Sequence, residues 1–202
     1  MEILLGTIVG ASALAGLKKV FDRAPKRKIP ESGIVSPASG KVIEIVDIDP
    51  TKFEFVKKKI KNSVSLPGLG TSAKMIVIEM NIRDVHVQRA PIEGVVTYSK
   101  HFSGKHKNVI HSKGKKDSVY INEKQITVIK GRDFSTCVIQ VAGFVARRIR
   151  SRVHINQFVK KGAVIGKISF GSQTILILPN TLNIKIRIGD RVTDGETLIT
   201  QN

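Results

Sequence analysis

Beyond Pro30 the chain breaks into short runs dense in Val and Ile: "KVIEIVDI", "KMIVIEMNI", "GVVTYSK", "SVYINE", "QITVIKG", "TCVIQVAGFVARRI", "AVIGKI", "QTILILP" and "TLNIKIRIG". Each is bounded by Gly, Pro, Asn or Asp. β-branched runs of this length read as strands and the punctuation between them as turns. Few windows in this region carry a 3.6-residue period, so the expected fold is mainly β, in antiparallel sheets. "GFVARRIRSRVHI" fits a strand end or a short helix, and the pattern does not choose between them.

Two segments near the C-terminus echo one another, "FVKKGAVIGKI" (158–168) and "IRIGDRVTDGETLI" (186–199). Each sets an apolar residue, a Gly and a further apolar residue before a turn. The pattern resembles the hammerhead turns of biotinyl and lipoyl carrier domains, a barrel-sandwich-like arrangement in which Gly supplies positive φ. A carrier presents a modified Lys at a hairpin tip, and no such motif stands between the two echoes. What stands there is Gly171-Ser172.

Charge narrows the partners. Against 16 acids the chain sets 34 Lys and Arg, a net charge of +18, so its surface seeks polyanions. With 5% aromatic residues and no Trp it has little to stack on bases, which favours anionic lipid over nucleic acid. The single Cys137 forms no internal disulfide and reads as a buried structural thiol in a reducing compartment. At the N-terminus "ILLGTIVGASALAGL" (3–17) is uncharged, then Lys18, Lys19, Arg23, Lys26, Arg27 and Lys28 follow against one acid, Asp22. Fifteen apolar residues fall short of the ~20 that span a bilayer as a straight helix. Residues 1–28 are therefore expected to hold a short apolar helix that dips into or spans the membrane, followed by a basic flank. That flank places the body, 29–202, on the cytoplasmic face.

A Gly-Ser bond in a tight turn has its own chemistry. The Ser172 hydroxyl can attack the Gly171 carbonyl, which no Cβ obstructs, and the product is an ester. Removal of the Ser172 α-proton then releases the upstream chain by β-elimination. The dehydroalanine left behind hydrolyses to a pyruvoyl group, a carbonyl cofactor made from the chain itself. On two residues alone such a motif is more often a plain turn.

The surrounding motifs carry more. "FGS" followed by "ILILP" and "IKIRIGDRVTDGETLIT" resembles the C-terminal segment of the phosphatidylserine decarboxylase family. "VSPASGKVIEI" (35–45), "RDVHVQRAPIEGVV" (83–96), "INEKQ" (121–125) and "VIQVAGFVARRI" (138–149) resemble further family segments in the same order. Together they cover roughly residues 31–202. The short length and apolar start most resemble the archaeal branch, which acts on archaetidylserine. The chain departs from the family where an early turn usually carries Asp and this one has Ser39. The histidine that long forms place after the central motif has no clear counterpart among His101, His106 and His111.

In "IRDVHVQRAP" strict alternation would put Asp84, His86 and Gln88 on one face and Val85, Val87 and Arg89 on the other. By the resemblance, Asp84 is the candidate base or orienting acid for Ser172, and His86 its neighbour or a substrate contact. Arg89 is either a bidentate phosphate donor or a plain surface charge. His101, His106 and His111 stand five apart, a spacing that suits no preformed metal site, and no metal is expected. The interleaved Lys100, Lys105, Lys107, Lys113, Lys115 and Lys116 read as a solvated face for anionic lipid.

The resemblance implies a pyruvoyl-dependent carboxy-lyase, made as a proenzyme and self-cleaved between 171 and 172, whose two fragments stay associated. Ser172 is the pyruvoyl precursor. The cofactor would form a Schiff base with a serine lipid headgroup and act as electron sink while carbon dioxide leaves, yielding ethanolamine. Homo-oligomer formation and ether versus ester lipid stay open. The rival classes are a non-enzymatic basic β module binding membrane or nucleic acid, and a carrier-like domain.

Overall fold

The Val- and Ile-rich runs do form strands, and every pairing among the described residues is antiparallel. The computed structural model describes residues 24–57, 60–104, 122–143, 149–168 and 172–200. Eight strands make one sheet that curls into a half-barrel. In chain order they are β1 (Gly40–Ile48), β4 (Ala73–Met80), β6 (Gly94–Phe102), β7 (Lys124–Lys130), β8 (Ser135–Val141), β10 (Phe158–Val159), β12 (Ser172–Pro179) and β13 (Arg191–Val192). Across the sheet the order is β10-β6-β7-β8-β12-β4-β1-β13. A hairpin of β2 (Phe53–Lys57) and β3 (Ile60–Val64) follows a single 3-10 turn at Pro50–Lys52. A small sheet joins β5 (Val87–Arg89), β11 (Val164–Ile168) and β9 (Ile149–Ser151). The ambiguous stretch thus resolves to strand at 149–151, while 144–148 and the expected N-terminal helix lie outside the described residues.

β12 is central because it is apolar on both faces. Leu176 and Leu178 join one buried cluster with Ile76, Ile78 and Val138, and Ile175 and Ile177 join the other with Val77, Cys137 and Ile139. A strand reading "ILIL" has no solvent face to offer, so it is placed between β8 and β4. Cys137 is fully buried, and burial pushes its thiol pKa far up, as a structural cysteine requires.

The two echoes are halves of a pseudo-two-fold. β13 pairs with β1 as Gly40↔Val192 and Lys41↔Arg191, and β10 pairs with β6 as Gly94↔Val159 and Val95↔Phe158. Both β1 and β6 then shift register, after Val42 and Val96. "SPASGKV" (36–42) and "APIEGVV" (90–96), which sequence inspection did not pair, are therefore equivalent. Gly162 and Gly195 occupy matching turns at φ 79 and 75, and Ile29 packs where a Cβ on either would lie. A side chain at these positions would be strained and would displace Ile29, so both echoes need glycine.

The chain just ahead of Ile29 is bonded to the body. The Arg27 guanidinium donates to Asp194 Oδ1 at 2.6 Å, the Lys28 amide to Glu196 at 3.0 Å, and Arg89 Nη2 to the Pro25 carbonyl at 2.6 Å. A boundary at 28/29 cuts all three, so Arg27 belongs to the fold as well as to a basic flank. A chain starting at residue 24 is expected to melt with the full chain. One starting at 29 should lose on the order of 2 kcal/mol, as for a charged hydrogen bond removed from a partly buried site. Equal melting temperatures for the two truncations would show these contacts to be idle.

Candidate active site

Ser172 opens β12 and is fully buried, paired in register with Met80, the last residue of β4. Its Oγ lies 3.6 Å from the Met80 sulfur. The same sulfur receives Thr174 Oγ1 at 3.3 Å and Gln88 Nε2 at 3.6 Å. Gln88 also donates to the His86 carbonyl at 3.3 Å and accepts from Gln140 Nε2 at 2.8 Å. Two hydroxyls and an amide are thus gathered around a thioether, a weak acceptor, inside an otherwise apolar sheet. Donors held so lightly can turn to a better acceptor placed among them.

The chain enters this place from the central motif on both sides. The Ile168 amide, ending β11, donates to the His86 carbonyl at 3.1 Å, and Ser172 follows four positions later. On the other side, Met80 leads directly into a turn closed by the Asp84 amide on the Asn81 carbonyl, 3.0 Å. Residues 169–171, including Gly171, lie outside the described residues. The extended segment itself is only Val87–Arg89, so the expected alternation does not reach Asp84, which sits in the turn.

Asp84 is buried and its carboxylate is engaged: Oδ2 accepts from the Asn81 amide at 2.7 Å and Oδ1 pairs with the exposed Arg191 guanidinium. These bonds fix its orientation. His86 is also buried, with Nδ1 2.6 Å from the Asp84 backbone carbonyl. A carbonyl only accepts, so Nδ1 carries the proton and Nε2 the lone pair. Burial draws the His86 pKa below 6.5, against the opposing pull of the Asp84 carbonyl and charge. The imidazole is therefore neutral and basic at neutral pH.

Arg89 is neither a phosphate donor nor a surface charge. It is buried, with Nε on Asp194 Oδ2 at 2.6 Å, Nη1 on the Gly162 carbonyl at 2.8 Å and Nη2 on the Pro25 carbonyl, so each of its three nitrogens is engaged within the protein. Asp194 in turn accepts from Ser39 Oγ at 2.6 Å, while its amide donates to Ser39 Oγ at 3.0 Å. The carboxylate that the early turn lacks at Ser39 is thus brought to it from the second echo.

His101 is partly exposed with Nε2 3.5 Å from Glu123, and His106 and His111 lie outside the described residues. So does the lysine stretch 105–116, although the connection holding it leaves and rejoins the sheet at the paired Phe102 and Lys124, toward the Ser172 end. Among the described residues no group of three His, Cys, Asp or Glu is arranged to hold a metal, and no helix is long and apolar enough to cross a membrane. Sequence inspection missed Met80, Gln140, Thr174 and Lys124. Lys124 is buried, and burial draws its pKa down to about 8. For Gln140 the signal was a polar residue with apolar neighbours on both sides, in "TCVIQVAG", whereas Met80, Thr174 and Lys124 carry no such local mark.

A model of the phosphatidylserine decarboxylase family matches residues 20–200. A phosphatidylserine decarboxylase proenzyme of Carboxydothermus hydrogenoformans is 36% identical over 182 residues, covering 89% of this chain and 76% of the relative. One of Chlorobium phaeobacteroides is 31% identical over 195 residues, 96% and 82% of the two chains. A chain of Methanocaldococcus jannaschii, provisionally named archaetidylserine decarboxylase proenzyme, is 35% identical over 182 residues, 89% and 86%.

Proposed function

The chain belongs to the phosphatidylserine decarboxylase family, and from that premise we propose that it decarboxylates the serine headgroup of a membrane lipid. On this reading the chain first cuts itself between Gly171 and Ser172, and its two fragments stay together through the strand pairs that hold β12. The observation that carries the proposal is Ser172, buried at the start of β12 and joined through Met80 and Ile168 to the motif bearing Asp84 and His86. Residues 3–17 and the basic flank would hold the body at the cytoplasmic face of an anionic membrane, so that only the headgroup has to enter.

The residues around Ser172 suit a pyruvoyl group in its place. The group would be an acceptor where the hydroxyl stands, and Thr174 and Gln88 are donors now spent on the Met80 sulfur. Such a group supplies an electrophilic carbonyl that takes up the substrate amine and withdraws the electron pair left by carbon dioxide. In self-cleavage His86, neutral and with its lone pair on Nε2, takes a proton, and Asp84 positions the imidazole through its backbone carbonyl. The bonds to Arg191 and Asn81 hold that turn in place.

Mass spectrometry of the purified chain tests the reading directly. Fragments 1–171 and 172–202 are expected, the second with a carbonyl-blocked N-terminus, together with carbon dioxide release from archaetidylserine or phosphatidylserine. A single intact chain releasing none would refute it.

The assignment of roles has its own test. His86→Ala should slow self-cleavage about 10²–10⁴-fold, the usual cost of a lost general base, and Asp84→Asn should cost less. The wild-type rate should be flat at neutral pH and fall as pH drops through a midpoint below 6.5, because a protonated imidazole accepts nothing. An Asp84→Asn loss equal to that of His86→Ala would make the carboxylate the base.

A further inference from the structure

Five large apolar side chains stand exposed among the described residues, and two of them, Ile82 (59%) and Ile188 (62%), are in turns, the first next to the Ser172 row and the second alongside Val42, in the row of Ile78 and Thr174 two residues from Ser172. The first turn, Asn81–Asp84, leaves β4 directly after Met80, the residue paired with Ser172. The second, Arg187–Asp190, is closed by the Asp190 amide on the Arg187 carbonyl at 3.2 Å and by the Arg187 amide on Asp190 Oδ2 at 2.8 Å. It leads straight into β13, whose Arg191 reaches back to Asp84 and ties the two turns together. Arg83, Arg187 and Arg191 are exposed around these tips against the exposed acid Asp190.

We infer that these two turns dock the Ser172 end of the body on an anionic bilayer, with Ile82 and Ile188 entering the headgroup boundary and Arg83 and Arg187 meeting lipid phosphates. Apolar tips ringed by arginine are the two signals that together hold a protein at such a surface. The inference rests on the lipid-decarboxylase reading for its purpose: a substrate whose hydrocarbon stays in the bilayer is reached only if this end faces the leaflet. It adds to the N-terminal segment a second attachment that sets orientation.

The pseudo-two-fold supplies the control. Asn156 and Gln157 bond to Val96 as Gly189 and Asp190 bond to Val42, so Ile155, 49% exposed, is the twin of Ile188. Its neighbour Phe158 pairs with Val95, in the row that passes through Lys130 and Ser135 toward the Pro179 end of β12. At ~3.3 Å per residue that row is on the order of 23 Å along the strand from Ser172. Val95 and Phe158, paired across β6 and β10, are exposed apolar side chains too, and the experiment decides between the two ends.

Full-length Ile82→Cys, Ile188→Cys and Ile155→Cys are labelled one at a time with an environment-sensitive dye, the native Cys137 being buried. They are mixed with phosphatidylglycerol–phosphatidylcholine vesicles carrying a headgroup-depth quencher. Blue shift and quenching are expected at 82 and 188, severalfold above those at 155. No response at 82 and 188, an equal response at 155, or a response to protein concentration without vesicles would each overturn the inference. The double variant Ile82→Ser/Ile188→Ser should keep self-cleavage and its turnover of a short-chain soluble serine phospholipid. Its turnover of vesicle-embedded substrate should fall by on the order of tenfold or more. If the wild-type chain decarboxylates nothing, the functional reading fails while the dye still decides the docking.

Discussion

Ser172→Ala is expected to give one intact chain, with no carbonyl-blocked fragment and no decarboxylation at any lipid concentration. The reason is chemical. Without the hydroxyl nothing attacks Gly171, and without that ester there is neither elimination nor a cofactor carbonyl. The variant should still fold, because among the described residues the hydroxyl donates to the Met80 sulfur at 3.6 Å, a weak bond. Losing a bond of that kind costs at most about 1 kcal/mol. Denaturing gels read the processing and a thermal melt reads the fold. Normal cleavage in a well-folded Ser172→Ala would remove the proposed chemistry altogether, and a collapsed melt would show that the hydroxyl is structural.

Asp194→Asn is expected to be the most damaging substitution to stability among those considered. The carboxylate is fully buried and stands between the guanidinium groups of Arg27 and Arg89, each at 2.6 Å. Replacing it leaves the buried Arg89 without its counter-charge and Arg27 with only Glu196, at 3.8 Å, and breaking a buried pair by removing one partner costs about 3–5 kcal/mol. That is a large share of the ~5–15 kcal/mol by which a typical domain is stable. The effect should spread to the Ser39 turn, to the 25–28 segment and to the Gly162 turn, which all meet at this group. Arg27→Ala should cost less, since its side chain is 16% exposed against 8% for Arg89 and water can take its place. A melting temperature unchanged in Asp194→Asn would show that the network stores no net stability.

Acid should weaken the fold through His86 as well. Its pKa is lower in the folded protein than the ordinary 6.5, so the unfolded chain binds the proton first. The stability gained by keeping this imidazole neutral is fully present above 6.5 and is lost as pH falls through the folded value. Urea midpoints of the wild type should therefore decline below pH 6.5 more steeply than those of a folded His86→Gln variant.

Several features follow from residues next to one another. The β character of the body was legible because Val, Ile and Thr cluster in runs of strand length between turn residues. The family resemblance was legible because its motifs are short and ordered, and the family match over residues 20–200 bears it out. The glycine turns of the two echoes were legible too, since a positive φ favours one residue type.

What the chain does with its polar residues was settled only by folding. Arg89 looks from its neighbours like any cation before "AP", yet its partner Asp194 is 105 residues away. Ser39 looks like a lost carboxylate until Asp194, 155 residues on, is folded against it. Met80 passes for core, and becomes the acceptor for Ser172, Thr174 and Gln88 only because β12 pairs with β4. Residue spacing reports which local conformation is favoured. Which buried charge finds its counter-charge, and which donor finds its acceptor, depends on strand order and register, and those are chosen by burying the two faces of the "ILIL" strand at once.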